Sequence, residues 1–279
     1  MSQDLTFRVQ ERSIRVKVEP GELWPLAGKL HTAAQVQDAQ ERPPDLTWRK
    51  VEEGLYQILL KGQPWETPFD ESQVLLQSEN LVTQLLRERL DDHAQLHAGG
   101  VVSPDGKGWL ICGASGSGKT STTVAALLQG WGWLSDEYAL LREDLPDVIL
   151  GFPRNFNLKE RSWNTFPETA GKPSSIELFS GFHQSRIRLF NPLELKPESH
   201  RERATLSGIA LPVFKPEAGE PTSVRISGIQ AFARIMPEFQ MTPPWTVERL
   251  NHWLREIPVF EICYADPRQL PSLLGTLLD

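Results

Sequence analysis

A glycine-rich segment from Gly113 to Thr120, with the sequence GASGSGKT, constrains this chain more than any other feature. It fits the pattern G-x-x-x-x-G-K-[ST] and lies directly after an apolar run and directly before a helical one, as that pattern requires. Glycines let the backbone curl around an anion, while the start of the helix adds its positive dipole end. The segment therefore predicts a cradle for polyphosphate.

The side chains of this loop predict separate roles. We expect Lys119 to reach the β and γ phosphates, and the hydroxyl of Thr120 to ligate Mg²⁺. The alternative is a glycine-rich turn that binds nothing, but the strand and helix on either side favour the phosphate loop. The residues predicted to bind the nucleotide here are Gly113, Ala114, Ser115, Gly116, Ser117, Gly118, Lys119, Thr120 and Ser121.

An acidic pair gives the second signal. Asp136 and Glu137 follow a short apolar strand predicted over 133–135, only sixteen positions after Thr120. Strand ends carry side chains into the crevice that holds phosphates in an open α/β sheet, so one or both carboxylates should face the metal. An acidic surface turn is the alternative. The predicted metal ligands are Thr120, Asp136 and Glu137.

Two further features have weaker support. His97 lies in an apolar run over 96–102 that is predicted to pair with the strand before the loop, and a lone histidine there is more often a core residue than a catalytic one. Pro153 is followed by the cations Arg154 and Lys159, which fit solvated surface charge and phosphate binding equally well. We include both cations in the predicted nucleotide site.

The pattern of apolar residues predicts an α/β protein that contains a mixed sheet. The chain is predicted to have two parts, residues 1–92 and 93–279. The first part is a small α+β accessory region. Its predicted elements are a strand pair over 5–18, a polar excursion over 32–44, a strand over 55–60 and a helix over 78–90 capped by Ser78.

The second part contains the phosphate loop. Its predicted elements are strands over 96–102 and 108–112 joined by a hairpin loop, a helix over 119–129, a strand over 133–135, an irregular basic stretch over 172–207, order over 224–235, and a core-packing helix over 246–255. We expect the irregular stretch to bind an acidic acceptor and to become ordered with it, although a solvated loop, or packing against the N-terminal region, fits equally well.

Composition excludes several classes of partner. The chain carries 29 Lys and Arg against 36 Asp and Glu, a net charge of −7, which argues against binding nucleic acid or an acidic membrane. Only two cysteines, Cys112 and Cys263, rule out a disulfide framework, and Cys112 is predicted to be a buried strand residue. The charged segment over 1–15 does not resemble a secretion signal, and no apolar run approaches about 20 residues. We therefore expect a cytoplasmic protein.

Taken together, four segments resemble the HPr kinase-related proteins, most closely the group called HprK-related kinase A. They are LHAGG over 96–100, the phosphate loop, GWGWLSDE over 130–137 and PRNFNLK over 153–159, with a weaker likeness over 211–214 and 231–234. The resemblance implies a phosphate-loop domain similar to the catalytic domain of HPr kinase/phosphorylase and to phosphoenolpyruvate carboxykinase.

The resemblance also implies residue roles. Asp136 matches the catalytic carboxylate that accepts the proton of a seryl hydroxyl, and Glu137 matches a second acidic position, where HPr kinases have Asp. His97 matches a histidine on the strand before the loop, with one extra residue between them, and joins Lys119 in the predicted catalytic set. No segment matches the signature of the reverse, phosphorolytic reaction, so neither that reaction nor HPr as substrate is expected.

These observations lead to one main hypothesis and one alternative. The main hypothesis is a kinase that uses ATP and Mg²⁺ to phosphorylate a serine-type hydroxyl of a peptide or small protein. The alternative is a nucleotide-binding regulatory module, or a slow ATPase, that transfers nothing to an acceptor. The sequence leaves open the acceptor, the preferred nucleotide and whether the chain forms a homo-oligomer.

Overall fold

The structure, a computed structural model, describes residues 3–30, 34–37, 42–181, 184–243 and 245–278. Its strands are β1 (Gln3–Val9), β2 (Arg12–Val18), β3 (Gln35–Val36), β4 (Leu46–Glu52), β5 (Leu55–Leu60), β6 (Gln63–Phe69), β7 (Ala94–Leu96), β8 (Ala98–Val102), β9 (Gly108–Cys112), β10 (Gly132–Ser135), β11 (Ala139–Arg142), β12 (Leu145–Leu150), β13 (Phe156–Lys159), β14 (Ile176–Ser180), β15 (Ser185–Phe190), β16 (Arg203–Phe214), β17 (Thr222–Arg225), β18 (Phe239–Gln240) and β19 (Val259–Tyr264). Its α-helices are α1 (Trp24–Ala27), α2 (Glu71–Arg89), α3 (Lys119–Leu128), α4 (Gly228–Ile235), α5 (Val247–Glu256) and α6 (Leu270–Thr276).

The chain divides into two compact units. Unit 1 combines Met1–Leu90 with Arg154–Asn191, and unit 2 combines Asp91–Pro153 with Pro192–Asp279. This differs from the contiguous division into 1–92 and 93–279 predicted from the sequence, because an internal segment groups with the N-terminal residues.

Unit 1 contains a sheet that, within the described residues, has six strands in the order β3-β1-β2-β4-β5-β6. The predicted strand pair over 5–18 is confirmed as β1 and β2, which are antiparallel and place Phe7 opposite Ile14, both fully buried. The strand predicted over 55–60 is confirmed as β5. Of the polar excursion predicted over 32–44, residues 32–33 and 38–41 lie outside the described residues, and part of the rest forms the short strand β3.

The helix α2 corrects one prediction. It begins at Glu71 instead of Ser78, because the Asp70 side chain accepts a hydrogen bond from the backbone N–H of Gln73 (2.9 Å) and caps the first turn. Ser78 is fully buried inside the helix, where its hydroxyl accepts a hydrogen bond from the Trp48 indole (2.6 Å). A serine with this role resembles an N-cap in sequence, which explains the error.

The internal segment of unit 1 forms a three-stranded antiparallel sheet in the order β13-β15-β14. Two side-chain amides tie it to the N-terminal residues: Asn155 donates to the carbonyl of Lys29 (2.6 Å), and Gln73 on α2 donates to the carbonyl of Phe179 (3.3 Å). The prediction of an irregular stretch over 172–207 is therefore wrong where β14, β15 and the start of β16 lie, whereas the described residues 191–202 form no β-strand. Strands this short, broken by prolines, show too little alternation to be recognised.

Two arginines of the predicted basic stretch, Arg186 and Arg188, are paired with a carboxylate in this segment. Glu177 accepts hydrogen bonds from Arg186 (2.7 Å) and from Arg188 (2.8 Å), and both guanidinium groups lie over the ring of Trp163. Arg188 is buried and donates further to the hydroxyl of Thr169 (2.9 Å). These contacts order the segment within the chain itself, so an acceptor is not needed to order it.

Unit 2 contains a mixed sheet of ten strands among the described residues. Eight of them follow the order β10-β8-β9-β16-β12-β11-β7-β18, and β19 pairs with the far half of the long strand β16 and with β17. The strands β9, β16 and β19 are parallel to one another, so their carboxyl ends lie at one edge. The hairpin predicted between 102 and 108 is confirmed, because β8 pairs antiparallel with β9.

Helices cover both faces of this sheet. One apolar cluster includes residues of α4 and α5, and the other includes residues of α3 and α6. The predicted helix over 246–255 is confirmed as α5, with Thr246 as its N-cap. Leu250, Trp253 and Leu254 are buried, which supports a core-packing face, whereas Val247 at its start is 43% exposed.

Candidate functional site

The predicted phosphate loop connects β9 to α3, so the strand–loop–helix context expected from the sequence is confirmed. Three of its residues have left-handed backbone angles, with φ of 141° at Gly113, 92° at Gly116 and 108° at Gly118. Residues with a Cβ rarely adopt such angles, which accounts for glycine at these positions. A Cβ at Gly113 would also lie 2.9 Å from the hydroxyl of Ser117. The backbone of the phosphate loop therefore requires glycine at these three positions.

Lys119 is folded back over this loop. Its ammonium donates to the carbonyl of Gly113 at 2.5 Å and lies 3.4 Å from the carbonyl of Ala114, and the residue is only 8% exposed. Burial lowers the pKa of Lys119, and the nearby carboxyls, Glu238 first among them, oppose that shift. An anion bound in the loop would stabilise the charged form of this buried ammonium, whose hydrogen-bond partners are neutral carbonyls.

The acidic pair follows β10, the short strand predicted over 133–135 and confirmed at Gly132–Ser135. Asp136 is 5% exposed, and one of its carboxylate oxygens accepts a hydrogen bond from the hydroxyl of Thr120 at 3.1 Å. Two residues predicted as metal ligands are therefore in direct contact. Glu137 is half-buried, and its charge acts on both His97 and Lys119.

Two glycines bring the neighbouring strand close enough to assemble this site. A Cβ at Gly99 on β8 would lie 2.6 Å from the hydroxyl of Thr123 on α3, and one at Gly100 would lie 3.1 Å from Ser135 on β10. The close packing of α3 on β8 therefore favours glycine at Gly99, and the packing of β10 leaves little room for a Cβ at Gly100. The Gly-Gly pair noted in the sequence has this structural role.

His97 lies between two strands, β7 and β8, and not within one continuous strand. The run predicted as one strand over 96–102 forms β7 and β8, which pair with different neighbours. The break is fixed by Glu238: its carbonyl accepts from the backbone N–H of His97 (2.8 Å), and its carboxylate lies 2.7 Å from Nδ1. Burial, followed by the charge of Lys119, lowers the pKa of His97, whereas Glu137 and Glu238 raise it. Glu238 was missed because it lies 141 positions from His97.

Tyr264 is a second residue that sequence reasoning missed. It ends β19, is 2% exposed, and donates from its hydroxyl to the carbonyl of Ser117 at 2.9 Å. A Cβ at Gly118 would lie only 1.8 Å from that hydroxyl oxygen. The hydroxyl of Tyr264 thus supports the loop through this hydrogen bond. No pattern in the sequence predicts a contact between residues so far apart along the chain.

The remaining predicted residues have different positions. Cys112 is fully buried on β9, as predicted, and burial raises the pKa of its thiol. Arg154 is 3% exposed and, with Lys159 at the end of β13, belongs to unit 1. These two cations are not among the residues that the sheet edge of unit 2 brings together, and their place in the nucleotide site stays a prediction.

The residues of the loop fit a nucleotide with Mg²⁺. Within the described chain the buried hydroxyl oxygen of Ser117 has no hydrogen-bond partner. This hydroxyl could therefore form a hydrogen bond with a ligand in the phosphate loop. The same described residues contain no group of three or more His, Cys, Asp or Glu side chains placed to hold a metal ion. A magnesium ion often takes only one or two carboxylates and completes its shell with phosphate oxygens and water, so Thr120 and Asp136 suit it only beside a phosphate.

Comparison with known proteins finds little similarity. No protein-family model matches the sequence, and no curated protein matches it. Among solved structures, the HPr(Ser) kinase/phosphatase from Coxiella burnetii is weakly similar, with a TM-score of 0.34 and 14% identity over 66% of this chain and 92% of that one. In the described part of the chain, no helix has the length and apolar character needed to cross a membrane.

Proposed function

We propose that this protein is a kinase that transfers the γ-phosphoryl group of Mg·ATP to a serine-type hydroxyl of a peptide or small protein. One observation carries the proposal: the hydroxyl of Thr120, at the start of α3, bonds to the buried carboxylate of Asp136 at 3.1 Å. This joins a phosphate loop to an acidic residue at the same sheet edge, which is the combination that phosphoryl transfer requires.

The residues of unit 2 would divide the work as follows. When bound, Mg·ATP supplies the phosphoryl group and a metal that neutralises its charge. Loop N–H groups and the ammonium of Lys119 would hold the phosphate oxygens, and Thr120, Asp136 and Glu137 would hold the metal. Asp136 would also accept the proton of the attacking hydroxyl, and Glu137 would act on the metal or its waters alone. Positioning and charge neutralisation then supply most of the rate.

The position of His97 supports a proton-related role at the same edge. Its Nδ1 faces Glu238, and burial favours the neutral imidazole. A neutral ring that donates from Nδ1 to a carboxylate keeps its Nε2 lone pair available as an acceptor. We therefore keep His97 in the catalytic set, with Glu238 as its positioning residue.

The proposal keeps Arg154 and Lys159 as predicted phosphate-binding cations. The test is calorimetry of Mg·ATP binding to Arg154→Ala and Lys159→Ala, with Arg186→Ala as the control because Arg186 belongs to the same unit and its side chain is 52% exposed. We expect both variants to lose affinity and the control to keep it. Unchanged affinity in all three would remove these cations from the site.

The decisive experiment combines binding and transfer. Calorimetry should detect binding of Mg·ATP to the wild-type chain. Intact-mass measurement should then show one added phosphoryl group on a serine-containing peptide from a library, and none with Asp136→Asn. Nucleotide binding with hydrolysis but with no labelled peptide or protein would favour the regulatory module or slow ATPase. No nucleotide binding at all would refute both.

A further inference from the structure

Three positions follow one another along the functional edge of the unit 2 sheet. Asp136 follows β10 on one side, the phosphate loop leaves β9 in the middle, and β16 and β19 end on the other side. This order is fixed by strand pairing alone. It gives the edge a direction, from the acidic residue across the loop to the ends of β16 and β19.

An exposed aromatic residue stands at the far end of this line. Phe214 is the last residue of β16 and is 52% exposed, so part of its ring is accessible to a ligand. It pairs in register with Tyr264, and the two ring centroids lie 5.7 Å apart at an angle of 61°. The hydroxyl of Tyr264 in turn contacts the loop at Ser117. A continuous path of contacts therefore leads from the phosphate loop to Phe214.

We infer that Phe214, supported by Tyr264, is the stacking platform for the nucleobase of the bound nucleotide. The inference rests on the proposed function and extends it. If the transferred phosphate lies beside Asp136, the nucleoside must leave the loop in the opposite direction, towards β16 and β19. An open aromatic ring at that end offers a base one of its faces, and Tyr264 fixes the ring from the edge.

The chemistry of the platform also predicts its specificity. A phenylalanine ring stacks on any base, since every base has a π face, and it carries no donor or acceptor that could distinguish adenine from guanine. The larger purine rings gain more from stacking than the smaller pyrimidine rings. The protein should therefore bind ATP and GTP with similar affinity and CTP less tightly.

The test compares a nucleotide with its phosphate part alone. Calorimetry would measure Mg·ATP, Mg·GTP, Mg·CTP and magnesium tripolyphosphate against the wild-type chain, Phe214→Ala and Phe214→Leu. Ile229→Ala is the matched control, because Ile229 is 75% exposed on α4 of the same unit and has no place in the site. Circular dichroism would confirm that each variant is folded.

We expect Phe214→Ala to weaken ATP and GTP binding by about fivefold to tenfold and to leave tripolyphosphate binding unchanged. Phe214→Leu should recover part of the loss, and Ile229→Ala should behave as wild type. If Phe214→Ala binds ATP as well as wild type does, or loses tripolyphosphate affinity equally, the inference is wrong while the proposed function stands. If the wild-type chain binds neither ATP nor tripolyphosphate, the proposed function itself fails.

Discussion

The two units place buried cations in opposite surroundings. In unit 1, the buried guanidinium of Arg188 is joined to the carboxylate of Glu177 and to the hydroxyl of Thr169. In unit 2, the buried ammonium of Lys119 is bonded to the loop carbonyls of Gly113 and Ala114. The first cation is hydrogen-bonded to a counter-charge in the chain, whereas the second is hydrogen-bonded, among the described residues, only to neutral carbonyls and leaves a positive charge that an anionic ligand would neutralise.

This difference shows how burial alone fails to mark a functional site. A buried charge that has its counter-charge in the chain stabilises a structure, and removing one partner leaves the other uncompensated. A buried charge held by neutral carbonyls is instead prepared for a ligand, at some cost in stability. The predictions below test this contrast, from the largest expected effect to the smallest.

The largest effect is expected at Asp136. Asp136→Asn keeps the size of the side chain but removes the carboxylate proposed to accept the proton of the attacking hydroxyl, so phosphoryl transfer should fall by at least about a hundredfold while Mg·ATP affinity is retained. Glu137→Gln should instead raise the Mg²⁺ concentration needed for half-maximal transfer. Both are measured as transfer rates in a magnesium titration.

The titration also separates the two roles. If excess Mg²⁺ restores Asp136→Asn fully, Asp136 only holds the metal and proton acceptance belongs elsewhere. If the two variants respond alike, the acidic pair does not divide its work as proposed.

The second effect concerns the backbone. Gly118→Ala places a Cβ 1.8 Å from the Tyr264 hydroxyl oxygen at a φ of 108°, so it should lower the free energy of unfolding of unit 2 by about 2 to 4 kcal/mol. The comparison in unit 1 is Gly62→Ala, where φ is 83° but no atom lies within 4 Å. Strain alone there should cost about 1 kcal/mol. Denaturant unfolding measures both.

A double variant locates the cause of the loss at Gly118. Tyr264→Phe removes the hydroxyl and leaves the ring carbon 3.1 Å from the added Cβ, so it should recover part of the stability lost in Gly118→Ala. Equal losses in Gly118→Ala with and without the hydroxyl would show that Tyr264 does not restrict the loop.

The same contrast explains what could be predicted from the sequence. The loop, its helix and the acidic pair lie within 25 residues, from Gly113 through Glu137, and the loop and the pair each follow a short strand, so local patterns locate them. Glu238 and Tyr264 join the site only through pairing of strands distant in sequence. The sequence left open whether the internal segment packs against the N-terminal residues, because Asn155 and Gln73 make their connecting hydrogen bonds with backbone groups more than 100 positions away.

The third effect compares the two buried cations directly. Lys119→Met should weaken Mg·ATP binding by at least about tenfold, or about 1.4 kcal/mol, and change stability little, because no carboxylate hydrogen-bonds to its ammonium in the described contacts. Arg188→Met should lower stability by about 1 to 2 kcal/mol, because Glu177 and Thr169 lose their partner, and should leave Mg·ATP affinity unchanged. Calorimetry measures the Mg·ATP affinity of both variants, and denaturant unfolding measures their stability. A loss of stability in Lys119→Met, or a loss of affinity in Arg188→Met, would contradict the difference proposed between the two cations.

The smallest effect is a pH dependence centred on His97. Burial and the charge of Lys119 hold the pKa of His97 below its ordinary value of about 6.5, so the unfolded chain binds its proton more readily than the folded chain does. This contribution to stability is present above about pH 6.5 and is lost as the pH falls from there towards the folded pKa.

Two variants test the causes of this shift. Lys119→Met removes one cause that lowers the pKa of His97 and should raise that pKa. Glu238→Gln removes a raising cause and should lower it further. NMR titration of the imidazole measures both shifts, and because their signs are opposite, a shared change in packing could not produce them; shifts in the same direction would show that His97 does not sense the charges around the phosphate loop.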